Sequence, residues 1–104
     1  MIYSNEYGID VRNAYVRFLV KLLTKKYDVI QSRIAQKIGM NPNYFRDFSR
    51  GVKNLNEDYI DKIEAYVTDL YEGIFLFEIP QDKDEFDNFV INLKDSVIYQ
   101  EYIN

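Results

Sequence analysis

The side chains best suited to chemistry with a partner crowd into one stretch. Between residues 31 and 56 stand Arg33, Lys37, Arg46, Arg50 and Lys53, with Asp47 as the one acid. Gln31, Asn43 and Tyr44 lie among them. Such a set suits a polyanion. Ammonium and guanidinium groups set a protein on a phosphate backbone. An asparagine amide can pair bidentately with adenine, and an arginine with guanine. Tyr44 can pack on a thymine methyl group, and Asp47 can accept from the cytosine amine or orient an arginine, although its charge repels phosphate.

Composition closes off most other chemistry. The chain has 104 residues, no cysteine and no histidine. Disulfides, thiolate metal sites, cysteine nucleophiles, serine–histidine catalysis and most zinc or iron sites are excluded. No glycine-rich phosphate loop is present. The carboxylates Asp82, Asp84, Glu85 and Asp87 lack the glycine and spacing of a calcium loop, and read as the first turn of a helix. Glu57 and Asp61 read the same way. The expectation is a binding protein and not an enzyme, with no cofactor, no metal and no small-molecule ligand.

A net charge of −4 hides a division. Residues 1–30 hold five basic and three acidic side chains, residues 31–56 five and one, and residues 57–104 three and thirteen. The first 56 residues are cationic and the remainder strongly acidic, a prior for one side facing a polyanion. Apolar content of 47% and charged content of 29% fit a folded chain. At this length about 65% of the unfolded surface can be buried, enough for one core. No apolar run approaches the ~18 residues of a membrane span. The segment MIYSNEYGID lacks a basic flank and an apolar signal core, so a cytoplasmic location is expected.

The elements that must position these groups are helical. Ile9 to Lys26 carries Ala14, Tyr15, Phe18, Leu19, Leu22 and Leu23 as one apolar stripe, with Asp10 and Lys25-Lys26 matching the helix dipole. Gln31 to Ile38 is a short second helix stopped by Gly39. Asn41 caps a third, Pro42 takes its first position, and Gly51 ends it after about Arg50. Glu57 to Tyr71 is a fourth, ended by Gly73. Ile74 to Pro80, IFLFEIP, reads as a buried strand or an extended linker. Glu85 to about Tyr102 reads as a fifth helix.

Two short helices joined at Gly39-Met40-Asn41 form a helix-turn-helix pattern. Ala35 is small where the third helix crosses, Met40 plugs the corner, and Phe45 and Phe48 anchor the third helix. Asn43, Tyr44, Arg46, Asp47 and Arg50 are left facing outward. The segment QSRIAQKIGMNPNYFRDFSRGVKNLN resembles the helix-turn-helix of the lambda repressor and Cro (Xre-type) family, without a gap from Gln31 to Asn56. Ile60, Ile63 and Val67 fit that family's fourth helix, so the resemblance covers roughly residues 9–71.

The resemblance implies site roles. Gln31 matches a glutamine that clamps a phosphate. Arg50 and Lys53 stand where relatives touch the backbone, and Arg33 and Lys37 join them as phosphate-binding cations. Asn43 matches a base-reading position, and Tyr44, Arg46 and Asp47 occupy outward positions that reach base edges or the groove wall in relatives. Two positions depart: Pro42 replaces a base-reading glutamine of lambda repressor, and Asp47 a small apolar residue. Binding of this kind falls steeply with salt, at a log–log slope of about −4 to −5.

The expected architecture is all-α, a helix-turn-helix bundle of about five helices: a DNA-binding domain over residues 1–71, then an extension, 72–104, with a candidate short strand near 74–79. That extension is expected to dimerise through Ile74, Phe75, Phe77, Phe86, Phe89, Val90 and Leu93. The expected function is a sequence-specific regulator of double-stranded DNA, a dimeric repressor of its own or a neighbouring promoter. By analogy with the resembled family, it would come from a phage, plasmid or other mobile element. The alternative is a protein-interaction module whose acidic half binds and inhibits or recruits a partner such as a nucleic-acid enzyme.

Overall fold

In a computed structural model that describes residues 1–103, the chain is all-helical. Seven α-helices follow in order: α1 (Ile9–Lys26), α2 (Gln31–Lys37), α3 (Pro42–Ser49), α4 (Glu57–Leu70), α5 (Glu72–Glu78), α6 (Lys83–Asn92) and α7 (Val97–Ile103). A single 3-10 turn, Leu93–Asp95, joins the last two. The radius of gyration, 12.5 Å, is close to the roughly 13 Å of a compact domain of this length. No helix is long and apolar enough to cross a membrane among the described residues.

The α1 helix is the axis of the fold. The sequence marks one apolar stripe on it, but every residue from Arg12 to Val20 is buried, because helices surround it on several sides. Tyr15 meets Phe86 of α6 edge-on at 5.4 Å between ring centroids. Phe18 makes similar contacts with Phe89 of α6 at 5.7 Å and Tyr102 of α7 at 5.6 Å. Edge-to-face pairs of this kind are each worth about 0.5–1.5 kcal/mol beyond their burial. On another side α1 packs against α4, which contributes Ile60, Ile63 and Val67 to the core.

The segment 74–79 is not a strand. It forms α5, with Phe75 fully buried and Ile79 buried just beyond. Tyr71, Phe75 and Ile79 recur at intervals of four, a helical spacing that a seven-residue apolar run masks. The amide of Phe75 donates to the carbonyl of Tyr71, and that of Ile79 to Phe75. The Gln81 side chain then donates to the Ile79 carbonyl at 2.7 Å and covers the helix end. With no other strand among the described residues, an extended 74–79 would leave its amides and carbonyls unpaired.

Two further boundaries differ from the sequence reading. The α4 helix ends at Leu70, with Tyr71 at its C-cap, and Gly73 lies inside α5. The long fifth helix is broken at Ser96, which is extended (φ −82°, ψ 152°). Its hydroxyl donates to the Leu93 carbonyl and accepts from the Tyr99 amide, so it closes α6 and starts α7. The break turns Tyr99 towards α1. The acidic run behaves as a helix start: Asp82 caps α6, accepting from the Glu85 amide at 3.2 Å.

Most side chains expected at a dimer interface are used inside the chain. Phe75, Phe86, Val90 and Leu93 are buried in the same core as α1, and Ile74 and Phe89 are half-buried against it. The cause is the extra helical packing of residues 72–103, which covers the apolar face of α1. Of the seven, Phe77 alone is strongly exposed, at 80%.

Candidate nucleic-acid interface

The turn between α2 and α3 is built from residues with distinct tasks. The amide of Met40 donates to the Ala35 carbonyl at 2.9 Å, and Gly39 takes φ +72°, a left-handed conformation that favours glycine. Met40 is buried at the corner, and Ala35 is fully buried. Asn41 then caps α3, its side-chain oxygen accepting from the amides of Asn43 and Tyr44 at 2.9 and 3.3 Å. Pro42 occupies the first helical position, where no amide is needed. At the far end Gly51 takes φ +79°.

Phe45 and Phe48 are completely buried and fix which way α3 faces. Asn43, Tyr44, Arg46 and Arg50 point to solvent, and Asp47 is half-buried. Tyr44 is 38% exposed and tilts against Tyr59 of α4 at 6.3 Å, with the Lys53 ammonium 5.1 Å above its ring. The Asp47 carbonyl accepts from the amides of Val52 and Lys53, holding the following loop against the helix.

The cations expected on phosphates divide into two groups. Arg50 and Lys53 are exposed at the α3 end. Arg33 and Lys37 are exposed on α2 but border a groove with Tyr66 of α4, on a side that Tyr3 and Lys62 also reach. Gln31 is half-buried at the first residue of α2. Arg33, Lys37, Arg46, Arg50 and Lys53 share one property: none has a carboxylate within 4.0 Å among the described residues.

Several positioning residues escape a motif-level reading. Arg17 of α1 is 4% exposed and clamps the α3 end and its loop. It donates from Nε to the Phe48 carbonyl at 2.5 Å and from Nη2 to the Lys53 carbonyl at 2.9 Å and to Asn54 Oδ1 at 2.8 Å. Its Nη1 donates to the Tyr99 hydroxyl at 3.1 Å, and its guanidinium stacks 4.9 Å from the Phe48 ring centroid. One turn earlier Asn13 reads the Leu55 backbone both ways, donating to its carbonyl at 3.0 Å and accepting from its amide at 2.8 Å. The available signal is a pair of polar residues four apart inside a helix otherwise rich in apolar residues. Lys21 adds charge nearby: burial, then the positive charges of Lys25 and Arg50, hold its pKa below the usual lysine value.

The chain matches no protein-family model, no curated protein and no solved structure.

Proposed function

We propose that the chain is a sequence-reading, double-stranded DNA-binding protein that works as a homodimeric repressor. In this reading α2 and α3 are a helix-turn-helix of lambda repressor and Cro (Xre-type) kind, and α3 enters the major groove. One observation carries it. The α3 helix buries Phe45 and Phe48 completely while it presents Asn43, Tyr44, Arg46 and Arg50 to solvent, with no carboxylate of the described residues in ion-pair range of either arginine. Asn43 and Arg46 carry the donors that distinguish adenine and guanine. Arg50 and Lys53 neutralise backbone phosphates. Eight residues of helix span about 12 Å, which suits a major groove of similar width. The likeness of residues 31–56 to the Xre-type motif supports the same assignment.

A second copy of the chain would place two reading helices about one DNA turn apart. Leu70, Leu76 and the strongly exposed Phe77 are the apolar side chains left around α5 for that contact. The dimer then represses by occupying promoter DNA. The test is a footprint on the DNA just upstream of the protein's own gene. A protected stretch of two half-sites is expected, shrinking to one in Phe77→Glu and vanishing in Arg46→Ala. No protection at low salt, or protection indifferent to sequence, overturns the proposal.

A further inference from the structure

Among the described residues Arg17 is a buried cation without a buried anion. It is 96% inaccessible, yet its acceptors are all neutral: two backbone carbonyls, one amide oxygen and one phenol. Buried charges are ordinarily paired. A guanidinium has five N–H donors, and the four hydrogen bonds leave one N–H on Nη1 without an acceptor among the described residues. The Tyr99 hydroxyl accepts from that same Nη1, so its own proton also has no acceptor among the described residues, although the ring is only 5% exposed. Two buried donors therefore meet at one place.

That place opens into a cleft. Its walls are Arg17, Arg50, the Gly51–Val52 turn, Asn54, Lys94, Tyr99 and Ile103. Three cations line it and, among the described residues, no carboxylate does. Asp10 and Asp95 lie in a neighbouring hollow that Lys94 also borders, but neither pairs with it within 4.0 Å.

We propose that this cleft is a seat for a phosphate-class oxyanion, held by Arg17 Nη1 and the Tyr99 hydroxyl at its floor and by Arg50 and Lys94 at its rim. A tetrahedral oxyanion supplies the acceptors both buried donors lack and the charge all three cations lack. The same chemistry is offered by a phosphate of a DNA backbone or by a free phosphorylated molecule. The seat sits where α7 covers the α3 end, so its occupant would bear on the loop that holds Lys53.

The full chain is titrated with inorganic phosphate against sodium chloride at matched ionic strength. The readouts are the NMR resonance of the Arg17 Nε–H and the urea unfolding midpoint. Phosphate is expected to move the resonance saturably. At about ten times its Kd it raises the folded-to-unfolded ratio about tenfold. Phosphate also stabilises proteins generally by exclusion, so the comparison with variants carries the reading. Lys94→Gln and Tyr99→Phe change one group each, and each is expected to weaken phosphate binding about tenfold, the effect of one charge-assisted hydrogen bond. Equal responses to phosphate and chloride, or equal phosphate affinity in wild type and both variants, would overturn the seat. Duplex DNA distinguishes the sources. If the occupant is a backbone phosphate, Lys94→Gln also lowers the salt slope of duplex binding by about one. An unchanged slope, with phosphate affinity still lost, assigns a free phosphorylated molecule. Arg46→Ala leaves the phosphate response in place, so a failure of the DNA reading and a failure of the seat are distinguishable.

Discussion

Arg12 and Arg17 both lie buried on α1, yet the molecule treats them oppositely. Arg12 faces α4, where Nη2 pairs with Asp61 at 2.8 Å and with Glu64 at 3.0 Å. Glu64 is itself buried and accepts from the Ser4 amide at 2.9 Å and the Ser4 hydroxyl at 3.0 Å, which ties the N-terminal segment to the core. Burial works to lower the Arg12 pKa, but the hydrogen bonds and charges of Asp61 and Glu64 outweigh it, and the value stands raised. Arg17 faces α3 and its loop, where only neutral groups receive it. Charge is thus cancelled on the α4 side and left standing on the α3 side. An overall acidic protein keeps a cationic face in this way.

The largest effect should come from breaking the cancelled side. Arg12→Met leaves Glu64 buried without its cation and is expected to lower stability by about 3–5 kcal/mol in urea unfolding. The double variant Arg12→Met with Glu64→Met should recover much of that loss, since an apolar pair of similar volume removes the orphaned charge. The contrasting α3 face should behave in reverse. Asn43→Ala and Arg46→Ala are each expected to cost about 1–3 kcal/mol of discrimination between operator and mismatched DNA. Neither should shift stability by more than about 0.5 kcal/mol, as both side chains are exposed.

A smaller effect sharpens the division among the cations. Lys53→Gln should weaken duplex binding evenly across sequences and reduce the salt slope by about one. Lys37→Gln, on the groove between α2 and α4, should leave the slope unchanged. The smallest effect concerns pH. The folded chain holds the Lys21 proton less tightly than the unfolded chain does. Stability should therefore rise as pH climbs through the lowered pKa towards 10.5, and urea unfolding of Lys21→Gln should show a flatter rise.

Local signals made much of this legible. The Asn41 cap, Pro42, the two left-handed glycines and the Phe45–Phe48 pair each specify their conformation through a few bonds, and α2 and α3 follow from them. The α5 helix was not legible as a helix, because a seven-residue apolar run has no period to read and its identity is settled by Phe75 entering the core. The break at Ser96 depends on a hydroxyl serving both ends, which propensity does not register. Arg17 and Tyr99 come together across 82 positions of chain, so no spacing announces them. Arg46 and Asn43 were visible as outward donors, whereas Arg17 and Asn13, which hold the α3 end and its loop from α1, were not.

The measurement that bears most directly on the central claim is a salt titration of wild type and Arg46→Ala on the upstream duplex and on a scrambled duplex of equal length. Wild type is expected to prefer the upstream duplex. Arg46→Ala should lose that preference while it keeps most of its affinity for the scrambled one, and both affinities should fall steeply with salt. Equal affinity of the wild type for the two duplexes, or a preference that survives Arg46→Ala, would contradict a sequence-reading α3.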